Sequence, residues 1–178
     1  MRNTAAIEID LRDTMSMCSL RAGAGLFGIE TVQIREVLGT TSPQRVPLAP
    51  EYIAGVVPHR GEILTTVNFR VLLGLERRAG PGCVLVLDEE EGRDCFGLLV
   101  DGVGGVVTLA RSALEANPSA LDARSMALFD GVFRMPAGLM VHLDPQRLRP
   151  SRLAESGLFG GESGTIGRLK QERQGEQR

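Results

Sequence analysis

The sequence predicts an all-β fold of two packed subdomains, about five strands each, with a few short helices. Three observations carry this. Short apolar runs recur along the chain, each bounded by Gly, Pro, Asn or Asp. Two of them, residues 53–57 and 63–73, flank the tight link Pro58-His59-Arg60-Gly61, and this hairpin is the element around which the rest is arranged. A second pair, residues 83–87 and 95–100, repeats the arrangement in the other half of the chain.

Residues 1–14 are expected to be a leader, with Ile7, Ile9 and Leu11 alternating as an edge strand would. Residues 15–20 and 26–30, joined by the Gly-rich 21–25, read as a first hairpin. Over 31–37 two periods fit, Ile29, Val32 and Glu36 as a helical turn or Val32, Ile34 and Glu36 as a strand, and Gly39 is expected to end the element. Pro43, Pro47 and Pro50 forbid a central strand and give an extended connection into Glu51 and Tyr52. The run 63–73 is expected to stay extended, with Val67, Phe69 and Val71 alternating against Asn68 and Arg70.

After a polar break at 77–82, the second hairpin turns through 88–94. Residues 101–105 then read as a Gly-rich bend and 106–109 as a strand, while Pro118 limits 112–121 to a short helix or a loop. Residues 128–135 and 139–143 form a last hairpin across Pro136-Ala137-Gly138. Asp144-Pro145 opens a helix through Leu148 that Pro150 interrupts and that resumes to Glu155. The polar, Gly-rich stretch from Gly160 is expected to be disordered, which puts the domain at 15–149, with 150–178 as a C-terminal helix and tail.

Composition narrows the function. A net charge of −2 argues against nucleic acid, whose phosphates demand a basic excess, and 4% aromatic residues without Trp leave no stacking platform. Cys18, Cys83 and Cys95 are odd in number and form no CxxC, so free thiols in a reducing compartment are expected. No apolar run reaches the length of a membrane span, so the expected location is the cytoplasm, without direct membrane insertion.

Candidate chemistry is sparse. His59 and His142 are too few and too far apart in sequence for a metal or nucleophilic constellation, and His142 alternates on a strand with Val141 and Leu143. Asp88, Glu89, Glu90, Glu91 and Asp94 lack the EF-hand spacing and read as a solvated hairpin tip. Gly102, Gly104 and Gly105 are followed by no Lys or Ser/Thr at P-loop spacing. No cofactor, no metal and no catalysis are expected. Glu36, among Val32, Ile34 and Val37, and Arg60, in the central turn, are either two unrelated surface charges or a pair, because a desolvated charge is costly alone.

FGIETVQIREVLG from Phe27, IAGVVPHRGEILTTVNFR from Ile53 and GLLVDGVGGVVTL from Gly97 resemble, in order and spacing, the CheW-like coupling proteins of bacterial chemosensory arrays. Gly55, Arg60, Gly61 and Ile63, with Val100-Asp101-Gly102-Val103, are the most specific parts. The resemblance implies two interlocked five-stranded SH3-like β-barrels and a non-enzymatic adaptor between a CheA-type histidine kinase regulatory domain and a chemoreceptor cytoplasmic tip. It also implies a place at membrane-associated receptor arrays. Carried over by position, it implies kinase contact for Ile34, Glu36, Gly55 and Arg60, and receptor contact for Cys83, Val103 and Val106. Three places depart from the family pattern: Pro58-His59 replaces the usual start of the Asn-x-Arg-Gly turn, Asn68-Phe69-Arg70 replaces Asp-Leu-Arg, and His142-Leu143-Asp144 replaces a Val-Asn strand end. These departures admit an adaptor of a divergent pathway, such as one controlling type IV pili or development. A small-ligand-binding β-barrel is the alternative from another class, and it requires a concave pocket with converging polar groups.

Overall fold

Alternation of apolar and polar residues builds each strand, and the places where it slips decide which core the strand serves. The structure, a computed structural model, describes residues 13–90, 94–119 and 121–159. The strands are β1 Thr14–Ala22, β2 Gly25–Glu30, β3 Ile34–Thr41, β4 Ile53–His59, β5 Glu62–Asn68, β6 Gly82–Glu90, β7 Asp94–Val100, β8 Gly102–Ala110, β9 Phe129–Met135 and β10 Gly138–Leu143. Three short helices accompany them, α1 Phe69–Leu72, α2 Ala123–Leu128 and α3 Pro150–Ser156.

The strands form two five-stranded sheets, ordered β8-β1-β2-β10-β9 and β3-β6-β7-β5-β4. Each half of the chain gives a hairpin to one sheet and three strands to the other: β1 and β2 join β8 to β10, while β6 and β7 join β3 to β5. The sheets match in detail. Each has one parallel pair, β2 with β10 and β5 with β7. In each, a residue after the edge strand bridges to the opposite edge. Gln44 exchanges two backbone bonds of 2.8 Å with Val56, and Glu115 exchanges two of 2.9 Å with Val132. Closure of this kind leaves little unpaired edge for aggregation.

Three apolar clusters follow from the register. Met15 and Met17 of β1 pack with Phe133 and Met140 inside the first sheet. The register then shifts between Cys18 and Leu20, so Leu20 and Ala22 turn to the space between the sheets. The β6 residues Val84 and Val86 fill the second sheet's interior, while Leu85 and Leu87 join the same inter-sheet cluster. That explains the unbroken VLVL of β6, a strand buried on both faces. Phe27 sits centrally in the shared core, edge-on to Phe69 at 4.8 Å and tilted against Phe129 at 6.0 Å.

Several expectations are corrected. The 63–73 run does not stay extended: Asn68 caps α1 by accepting from the Val71 amide, and Phe69 and Leu72 turn into the core. Gly39 does not end β3, which runs to Thr41 with a bulge between Leu38 and Thr40. The segment from Gly102 is strand rather than bend, because β1 supplies a partner along its whole length. Leu128 ends a helix instead of opening a strand, since Asp122 caps α2 through the Ser125 amide. Pro150 begins α3 instead of interrupting a helix, as its missing N–H is harmless in a first turn. The predicted first, central, second and last hairpins all form. The 31–37 ambiguity resolves as a 3-10 turn at Thr31–Gln33 followed by β3. The proposed leader strand at Ile7, Ile9 and Leu11, and the tail from Gly160, lie outside the described residues.

Candidate protein-interaction site

Glu36 and Arg60 meet. Glu36 lies on β3, next to the register shift between Ile34 and Glu36. Arg60 occupies the turn between β4 and β5 at φ 50, a left-handed conformation. Arg60 Nη2 donates to Glu36 Oε2 at 2.8 Å, and His59 Nε2 lies 3.7 Å from the same oxygen. The arginine side chain is 76% exposed and the carboxylate 36%, so the pair contributes under about 1 kcal/mol to folding. Val37, next to Glu36 on β3, and Ile63 on β5 are exposed.

Gly55 is held for a different reason. Its φ is +145°, and a Cβ there would lie 2.2 Å from the Gln44 carbonyl oxygen, so only glycine lets the loop after β3 bridge to β4. Ile34 is half-buried against the inter-sheet cluster just after the 3-10 turn. The four kinase-contact positions expected from the sequence therefore fall on β3, β4 and the β4–β5 turn, all in the second sheet.

Cys83 on β6 and Val103 on β8 both border the inter-sheet cluster, one from each sheet, so the structure brings them to a common seam. Val106 is not brought there. It faces outward from β8 and is 61% exposed. Beside the seam lies a constellation that composition and spacing did not single out. Asp101 Oδ2 accepts from Arg70 Nη1 at 2.7 Å and from the Gly23 amide at 2.7 Å, while Arg70 Nε donates to the Glu76 carbonyl at 2.8 Å. Arg70 belongs to the second sheet's α1 and Gly23 to the first sheet's β1–β2 turn, so this carboxylate ties the two sheets together. Its signals in the sequence were the acid in Val100-Asp101-Gly102-Val103 and the arginine in Asn68-Phe69-Arg70, which nothing there joined.

Burial pushes the Cys18 thiol above its usual range, which disfavours the thiolate. His142 is buried against Phe133, with Nδ1 3.2 Å from Asp130 Oδ2, and Arg147 holds the other oxygen of that carboxylate at 2.8 Å. Among the described residues, no three His, Cys, Asp or Glu side chains group as metal ligands. None of the described helices is long and apolar enough to cross a membrane.

Two interlocked sheets with their distinctive side chains on outer faces and a surface seam define a binding scaffold. The family model of the CheW-like domain matches residues 16–152. The chemotaxis protein CheW of Rhizobium meliloti is 26% identical over 142 residues, covering 79% of this chain and 90% of that protein. Its counterpart in Treponema pallidum is 20% identical over 146 residues, covering 79% and 85%. The crystal structure of scaffolding protein TtCheW from Thermoanaerobacter tengcongensis superposes with a TM-score of 0.64 at 20% identity, covering 73% of this chain and 88% of that one. This chain belongs to the CheW-like family, and its role is that of a non-catalytic chemotaxis scaffold.

Proposed function

We propose that this chain couples chemoreceptor tips to a CheA-type histidine kinase, binding the kinase regulatory domain through the second sheet and a receptor helical hairpin along the inter-sheet seam. The observation that carries the reading is the Glu36–Arg60 pair. An exposed pair contributes little to folding, yet here it is set in a turn with left-handed backbone, and Val37 and Ile63, each within three residues of a member of the pair in sequence, are exposed. Such a surface favours a protein partner that buries the apolar residues and completes the charges. Ile34 and Gly55 support the same face, while Cys83 and Val103, with Val106 beyond them, line the receptor side. The working location is the cytoplasm, at membrane-associated receptor arrays.

A divergent chemosensory output is a second reading, favoured by His59, whose ring shares the Glu36 carboxylate with Arg60. The two surfaces are separable by mutation. Arg60→Ala should weaken the kinase regulatory domain by about tenfold with little effect on a receptor-tip hairpin, and Val103→Asp should do the reverse. Titration calorimetry against each partner reads both, and equal losses toward both partners from either substitution would remove the two-surface arrangement.

A further inference from the structure

Leu48 and Arg60 are the non-glycine positions with positive φ among the described residues, and Arg60 has a stated role. Leu48, at φ 62, is fully exposed at the tip of the loop 42–50 between β3 and β4. A left-handed backbone is unfavourable for a leucine, and a solvent-facing apolar side chain gains nothing from folding. The loop is not slack. Gln44 ties one end to Val56, Ala49 N donates to the Val46 carbonyl at 3.3 Å, and Arg77 holds the other end through the Glu51 and Ile53 carbonyls. Val46 is exposed beside Leu48, and Pro47 and Pro50 fix the backbone on either side.

The flank is cationic. Arg45 is exposed and makes no ion pair among the described residues. Burial, then the nearby Arg45 charge, lower the Arg77 pKa from its usual value, with Glu51 partly offsetting. Folding alone does not favour the strained apolar tip, whereas a partner with an apolar socket relieves it and acidic groups at the socket's rim complement the exposed Arg45.

We propose that Leu48 is an anchor that inserts into an apolar, carboxylate-rimmed socket on the kinase regulatory domain. The kinase is chosen over the receptor by position. The loop joins β3 and β4, which carry Ile34, Glu36 and Gly55, and Gly55 packs directly against the Gln44 carbonyl. The receptor candidates lie instead on β6 and β8. The inference rests on the function proposed above.

Leu48→Asn tests it, because asparagine tolerates the left-handed conformation and leaves the loop shape intact. Calorimetry with the full chain should show about tenfold weaker binding to the kinase regulatory domain, unchanged binding to a receptor-tip hairpin, and a melting temperature about 2 to 4 °C higher. Leu48→Met, which keeps an apolar tip, should bind the kinase within about twofold of the parent. Unchanged kinase affinity in Leu48→Asn alongside a loss in Arg60→Ala overturns the anchor and leaves the coupling function standing. A loss confined to the receptor also overturns it. A parent protein that binds neither partner defeats the coupling function itself.

Discussion

At the scale of single residues, Gly55 and Arg60 show two ways in which a position is constrained. Gly55 is required by closure, because any side chain would collide with the Gln44 carbonyl. Its counterpart in the first sheet, Gly131, is held likewise: a Cβ there would lie 2.6 Å from the Glu115 carbonyl. Arg60 is constrained by nothing in the interior, and its ion pair is largely solvated. Gly55→Ala is therefore expected to lower the melting temperature by about 4 °C or more, whatever it does to partner binding. Thermal unfolding followed by circular dichroism checks this, and an unchanged midpoint would show that the loop yields without cost. Gly55 was visible in the sequence through family resemblance, and Arg60 also through its place as a cation in the central turn, where Glu36 could pair with it. Their different reasons were not, because the Gln44–Val56 bridge joins segments that only the fold brings together.

At the scale of elements, the hairpins were legible, as was the turn that Asp144 caps with Pro145 at its first position, while the α1 and α2 turns were not. Turn residues and alternation identified the paired strands, since Gly, Pro and β-branched runs act locally. The α1 turn escaped because Val67, Phe69 and Val71 alternate like a strand, and the Asn68 cap redirects the chain only with Phe69 and Leu72 buried in a shared core. The α2 turn escaped similarly, its signal being the single cap at Asp122. That cap carries a pH dependence. The Ser125 amide and hydroxyl hold the Asp122 carboxyl below its usual 3.8, so the native state favours the ionised form. Its contribution is fully present above about 3.8 and is lost as pH falls through the lower folded-state value. The protection of the Ser125 amide, its exchange rate taken against the intrinsic rate at each pH, should fall as the solution is acidified below pH 4, and Asp122→Asn, which caps without titrating, should abolish that fall. Protection that varies with pH identically in both proteins would show that the cap does not hold the turn.

At the scale of the molecule, exchange of strands between the halves makes the two sheets interdependent. The sequence revealed two similar pairs of strands but not their crossing, because register across β1–β8 and β3–β6 is set by contacts distant in sequence. One apolar cluster draws on both sheets, from Leu20 and Phe27 on one side to Leu85, Leu87 and Phe96 on the other, and it extends to Leu153 and Phe159 beyond the last strand. The largest of the three clusters is shared by both sheets, so unfolding should be a single transition. Denaturant-dependent exchange at Leu20 and Leu85 should give one common free energy, whereas an earlier opening of either sheet would show that the shared cluster does not couple them.

Coupling through two surfaces makes the most direct demand of all. One copy of the chain must hold both partners at once. Purified protein mixed with the kinase regulatory domain and a receptor-tip hairpin, then resolved by size-exclusion chromatography with light scattering, should give a ternary species whose mass equals the sum of one copy of each. Competition between kinase domain and hairpin, with only binary complexes at any ratio, would contradict the account.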